Sequence, residues 1–188
     1  MSGLGTLGLV LVAAAVAALL LAAVAYNRLV SLRVRTENGW SSIDVQLKRR
    51  YDLIPNLVAT VKAYAKHERE TFEAIVEARQ AAMEASGVRA QADAENRIGD
   101  GLSRLLAVAE AYPELKANEN FARLQEELSS TENKIAFARQ HYNDTVLQYN
   151  TAIQSFPANL LAGSLGFGPR EFFEIEVSAE RATPVVSL

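Results

Sequence analysis

The chain has no cysteine, two histidines and one tryptophan, and only 7% of its 188 residues are aromatic. The missing thiols exclude disulfides, thiolate metal sites and a cysteine nucleophile. They leave the compartment open, because a cysteine-free protein survives on either side of a membrane. Basic charge is not in surplus either. The net charge is -3 and the isoelectric point is near 5.5, so the chain as a whole is a poor candidate for wrapping nucleic acid. What is present is a hydrophobic fraction of 49% and a charged fraction of 22%, a balance typical of one folded domain and not of a disordered chain.

Apolar residues are concentrated at the N-terminus. No side chain from Met1 to Asn27 is charged, and residues 7–26 supply about 20 positions of nearly pure Leu, Val and Ala, enough helix for a hydrocarbon core of roughly 30 Å. A transmembrane anchor over residues 1–27 is expected. Ala23-Val24-Ala25 offers a small-x-small cleavage pattern, yet the segment lacks a basic start and is longer than the core of a cleaved leader. Arg28, Arg33 and Arg35 follow it at once, and only the terminal amine precedes it. By the charge bias of membrane insertion, this is a single-pass protein of the cell membrane with its N-terminus outside and its body in the cytoplasm. Two patterns inside the segment carry little weight. Gly3-Leu4-Gly5-Thr6-Leu7-Gly8 has the letters of a dinucleotide-binding loop but neither the preceding strand nor the later acid. The Ala14, Ala18 and Ala22 stripe arises in an alanine-rich helix more readily by chance than as a dimer seam.

Residues 28–157 read as a helical bundle of four amphipathic stretches, and residues 158–188 as an irregular tail. The first stretch runs from about Asn27 to Tyr51, continuous with the anchor, with Leu29, Leu32, Thr36, Trp40, Ile43 and Leu47 at steps of three and four. Pro55 should kink the helix or restart it, with Asp52 as the cap. The second stretch, about Pro55 to Ser86, places Leu57, Val61, Tyr64, Phe72, Ile75 and Ala82 on one side and stops at Gly87. The third, about Val88 to Tyr112, turns Ile98, Leu102, Leu105 and Ala109 inward and ends at Pro113. The fourth repeats from Phe121 through Leu128, Ile135, Tyr142 and Tyr149 to Phe156 over five heptads and stops at Pro157. A stripe of that length requires helices beside it. Beyond it, Phe172–Val177 partly alternates, as a short strand or a frayed end would. The fold class is therefore all-α: an N-terminal transmembrane helix continuing into a long antiparallel three- or four-helix bundle.

Patterns for catalysis fail one by one. His67-Glu68 begins like a zinc-protease helix, but the second histidine position holds Thr71. Tyr64 and Ala138 stand where a di-iron bundle would have glutamate, three residues before each histidine. There is no nucleophile elbow and no phosphate-binding loop. Acidic pairs such as Glu68/Glu70 and Glu126/Glu127 fit solvated helix faces. No catalytic residue, metal site or cofactor is predicted, and an enzyme would have to assemble Asp44, Asp52, His67 and Glu68.

The basic residues are more informative. Residues 26–51 carry six cations and two acids, a local charge of +4 against -7 elsewhere. Arg28, Arg33 and Arg35 are placed to touch anionic headgroups, each contact worth about 1 kcal/mol near the surface. Lys48, Arg49 and Arg50 begin about 30 Å further along a straight helix, beyond the screening length, and suit a solvated face or an acidic partner. Tyr142-Asn143 and Tyr149-Asn150 lie one heptad apart on one face, where phenol and amide groups suit a register-setting polar layer better than a ligand site. Trp40 suits a core anchor.

The run from Trp40 to Val58 (WSSIDVQLKRRYDLIPNLV), with YAKHE at Tyr64–Glu68, LKANENFARL at Leu115–Leu124 and TENK at Thr131–Lys134, resembles the signature of the LemA family. Tyr26-Asn27, Tyr142-Asn143-Asp144, Tyr149-Asn150 and Phe156-Pro157 are similar to that family as well. The resemblance covers about residues 26–168 and leaves the tail beyond Phe173 outside. It implies a membrane-anchored bacterial protein with a long helical bundle and no established enzymatic activity. Lipoprotein-like members carry a lipobox cysteine before the Tyr-Asn pair, where this chain has Ala25, so lipid attachment is not expected.

Together these readings predict a non-enzymatic membrane scaffold that presents a helical face. The alternative is an envelope-stress or membrane-remodelling element acting on anionic lipid through Arg28, Arg33 and Arg35. The partners to expect are the membrane, further copies of the chain or a membrane-proximal protein, and no nucleic acid.

Overall fold

Every regular element is helical in the computed structural model, which describes residues 2–174, with side chains from Thr6 onward. Helix α1 spans Ser2–Tyr64, α2 Arg69–Glu84, α3 Val88–Glu110, α4 Pro113–Lys116 and α5 Glu119–Gln154; a 3-10 turn follows at Ala158–Leu160. The all-α class, with an apolar N-terminal helix running on into packed helices, is observed. Among the described residues there is no strand. Residues 171–174 are irregular, and the rest of the strand considered at Phe172–Val177 lies outside the described residues.

Of the kink or restart expected at Pro55, the restart does not occur: α1 runs through it. A proline at 55 removes the N–H that would bond the Tyr51 carbonyl one turn earlier. Arg79 of α2 replaces it: its Nε donates to the Tyr51 carbonyl at 2.7 Å, while Pro55 itself is exposed. Asp52 is consequently mid-helix and caps nothing. The chain breaks instead at residues 65–68, so the second amphipathic stretch starts as a separate helix at Arg69.

The chain divides into two compact units. Unit 1 contains residues 2–41 of α1 and residues 141–170. Its core is Leu29, Tyr149, Ala152, Ile153, Ala162 and Phe167. Tyr26 meets Phe167 edge-on with ring centroids 5.8 Å apart. Trp40 meets Tyr142 at 5.5 Å and 60°, an attractive edge-to-face geometry. Gly39 permits that approach, since a Cβ there would lie 3.3 Å from the Tyr142 Cα. Residues 6–21 are exposed, Ala22 is half-buried and Ala25 is buried. By length and composition, α1 is the helix among the described residues that can cross a membrane.

Unit 2 contains residues 42–140 and 171–174. Ile43, Leu47, Ile54, Leu57 and Val61 of α1 are buried, as are Phe72 and Ile75 of α2, Ile98, Leu102 and Leu105 of α3, and Phe121, Leu128 and Ile135 of α5. The α2–α3 hairpin turns at Gly87, whose φ of +91° suits a residue without Cβ. Gly101 of α3 admits Ile75, whose Cδ1 would sit only 2.7 Å from an added Cβ. Asn118 starts α5: its Oδ1 accepts the N–H groups of Asn120 at 2.9 Å and Phe121 at 3.1 Å, the geometry of an N-cap. Its Nδ2 donates to the Tyr64 hydroxyl at 3.0 Å, tying the end of α1 to the start of α5.

Candidate functional site

Two polar constellations sit inside apolar surroundings, one in each unit. In unit 2 the inward stripe of α1 reads Ile43, Leu47, Arg50, Ile54, Leu57, Val61, so the backbone itself carries a guanidinium into the core. Arg50 is 3% exposed and Glu95 of α3 is 1% exposed. Arg50 Nη2 pairs with Glu95 Oε2, and Nη1 donates to both carboxylate oxygens of Glu132 on α5, at 2.9 and 3.1 Å. The Tyr51 hydroxyl donates to Glu95. Gln91 Nε2 lies 2.8 Å from Glu95 Oε1 and 2.8 Å from the Tyr51 hydroxyl. Two carboxylates thus share one guanidinium, and the half-exposed Glu132 side chain leaves water to balance the second. Burial pushes the Tyr51 phenol up to about 12, against a smaller downward pull from Arg50. A neutral phenol is what an acceptor such as Glu95 needs. The cluster holds α1, α3 and α5 together.

In unit 1 the second Tyr-Asn pair fastens the segment that follows α5. The Tyr149 hydroxyl donates to the Gly168 carbonyl at 2.9 Å. Asn150 makes a two-way bond with Arg170, its Nδ2 donating to the carbonyl and its Oδ1 accepting the N–H, both at 2.9 Å. Arg170 in turn donates from Nη2 to Glu37 at 3.0 Å, and Arg33 Nε donates to the same oxygen at 3.3 Å. Tyr142 is buried against Trp40 and Asn143 is half-buried. The amide of Asn150 therefore bonds a returning backbone and not a facing helix.

The remaining predicted residues are spread out. Arg28 and Arg35 are exposed and share a helical face, being seven residues apart. Arg33 points away from that face and engages Glu37, so the three arginines are not one patch. Lys48 is exposed and pairs with Asp44 at 2.7 Å, and Arg49 is exposed. The solvated-face reading of the trio thus fails for Arg50 alone, whose acidic partners are inside the chain. Arg49 and Lys134 line an open cleft with Asp52, Glu126 and Glu127, a surface of mixed charge. Asp44 and Asp52 stand about 12 Å of helix rise apart on α1, and His67 and Glu68 lie in the break beyond the end of that helix, so the four are not gathered in one place. Among the described residues no three His, Asp or Glu side chains are grouped to hold a metal.

Sequence reasoning missed Glu95 and Glu132. The signal for Glu95 was its step: it stands three residues before Ile98 on the stripe that continues through Leu102, Leu105 and Ala109. Glu132 lies inside the TENK run.

The profile of the LemA family matches residues 39–188. The chain belongs to the LemA family. The match runs through the tail beyond Phe173, which the motif resemblance leaves outside. Relatives of this LemA-family chain include the magnetosome proteins MamQ 1 and MamQ 2 of Paramagnetospirillum magneticum, each 27% identical, with 86% of this chain and 68% of the relative covered. The magnetosome protein MamQ of Magnetospirillum gryphiswaldense is 25% identical with the same coverage. As a LemA-family chain with a helix fit to cross a bilayer, it is a membrane-associated protein.

Proposed function

We propose that the protein is a non-enzymatic scaffold, anchored by α1 in the cell membrane with its body in the cytoplasm, and that α5 presents a face to a membrane-proximal protein or to another copy of the chain. The observation that carries this reading is the division of labour along α5. The helix buries Phe121, Leu128 and Ile135, yet leaves Phe137 72% exposed, and an exposed large aromatic on a rigid helix is a common anchor for association. The interior Arg50, Glu95 and Tyr51 are meanwhile engaged with one another. A photo-crosslinking residue replacing Phe137 in intact cells should trap a partner or a second copy, and Phe137→Glu should abolish trapping from a neighbouring position. A chain that stays monomeric and uncrosslinked would overturn the scaffold.

The lipid reading narrows to Arg28. It stands about 3 Å of helix rise beyond Tyr26, whereas Arg35 is about 13 Å beyond, past the screening length of roughly 8–10 Å. Trp40, the single tryptophan, can report this by energy transfer to lipids with dansylated headgroups. Transfer should favour anionic over zwitterionic headgroups, and Arg28→Gln should erase most of the preference. A preference unchanged by the substitution and by salt would remove headgroup contact from the proposal.

A further inference from the structure

We infer that the loop after α5, residues 155–167, is a second membrane element: it dips into the bilayer interface beside α1 and buries Phe156, Leu160 and Leu165 in lipid. The inference rests on the reading that residues 7–26 cross the bilayer. Four observations lead to it.

The first is position. Phe167 touches Tyr26, and the loop's Ala162 and Phe167 share a core with Leu29. Ala25 is buried and Ala22 half-buried, although residues 6–21 are all exposed. Within unit 1 the partner of α1 is the 141–170 segment, so the loop reaches the last turn of the charge-free stretch.

The second is chemistry. No side chain from Ser155 to Pro169 is charged, and the loop turns Ala162 and Phe167 inward while leaving Phe156 80%, Leu160 70% and Leu165 45% exposed. Water-facing loops seldom gather large apolar side chains without a partner.

The third is the backbone. A segment can enter lipid only if its main-chain groups are satisfied without water. Between Asn159 and Phe167 seven N–H groups donate to carbonyls of the loop itself. The Tyr149 and Asn150 side chains then take up the Gly168 and Arg170 carbonyls.

The fourth is the rim. Arg28 is the first charge after the apolar stretch and adjoins Leu29 of the core shared with the loop, which suits headgroup phosphates.

The absence of native cysteine makes the test direct. Single cysteines at Phe156→Cys, Leu160→Cys and Leu165→Cys in the full chain would carry an environment-sensitive fluorophore, in vesicles of phosphatidylcholine and phosphatidylglycerol. Reference labels would sit at Val16→Cys in the span and at the exposed Glu70→Cys on α2. The three loop labels should be quenched by lipids with a shallow nitroxide and shielded severalfold from iodide relative to position 70. Adding Leu160→Asp to the Phe156→Cys chain should lower lipid quenching of the label at position 156. Loop labels as open to iodide as position 70 would overturn the proposal. So would labels shielded from iodide yet untouched by nitroxide lipid, which would mean that protein covers the loop. Lipid quenching at position 16 with none at the loop would leave the anchor standing and sink the loop alone; no lipid quenching at position 16 would sink both.

Discussion

In unit 1 Tyr149 and Asn150 bond to the backbone of residues 168–170, whereas in unit 2 Arg50 and Glu95 bond to each other and to Tyr51, Gln91 and Glu132. Neutral side chains that bond main chain act locally: they hold a loop in place and each bond stands nearly alone. Charged side chains in a core act collectively, because removing one leaves another buried without its counterion. Each net neutral hydrogen bond contributes about 0.5–1.5 kcal/mol. A buried ion pair adds little against an apolar isostere, yet breaking it costs several times more. Unit 2 should therefore be intolerant of single changes and tolerant of compensated ones, whereas in unit 1 single changes should cost little and add up independently.

Glu95→Ala is the sharpest way to break this contrast. It should destabilise the chain by about 3–5 kcal/mol, read as a shift of the denaturant midpoint by circular dichroism in micelles. The Arg50→Met, Glu95→Leu double variant should cost less than either single change. Additive losses would mean that the two groups do not act together.

Arg79→Ala comes next, at about 1–3 kcal/mol, the range for a buried acceptor left unpaired. With Pro55→Ala, which restores the missing N–H, the loss should shrink. An undiminished loss would assign Arg79 some role other than serving the Tyr51 carbonyl.

In unit 1 the effects should be smaller and separable. Tyr149→Phe should cost about 1 kcal/mol and Asn150→Ala somewhat more, because it gives up two bonds. Limited proteolysis after residue 155 should rise in both variants. If Tyr149→Phe matched Glu95→Ala in cost, the contrast between the units would collapse.

The smallest effect is spectroscopic. Tyr51 holds its proton more tightly when folded, so its contribution is complete below pH 10 and is lost as pH rises toward about 12. Absorbance titration should show a late ionisation that Tyr51→Phe deletes. A titration curve unchanged by Tyr51→Phe at the alkaline end would show that the site is open to water.

Much of the fold was legible because the helices bury stripes at steps of three and four, and side-chain spacing is a local property. The α5 stripe from Phe121 to Ala152 and the stop of α3 before Pro113 follow from it directly. Where the reading failed, a distant residue had replaced a local one. Pro55 predicts a kink or restart from its own chemistry, and a residue 24 positions later on another helix supplies the donor that it lacks. Arg50 looked like part of a solvated basic trio because its neighbours Lys48 and Arg49 are exposed, although its own step along the stripe put it inside. The Tyr-Asn pairs stood out as unusual, but the backbone that Asn150 bonds is 20 residues away in a stretch with no periodicity to mark it.

Arg79 and Pro55 have a joint history to write. While a proline sits at 55, residue 79 is bound to offer a long donor arm across to the Tyr51 carbonyl. An alanine at 55 would release that obligation, and position 79 would be free to drift. Homologous chains should accordingly change these two sites as a couple, a link that neither residue advertises by its distance along the chain.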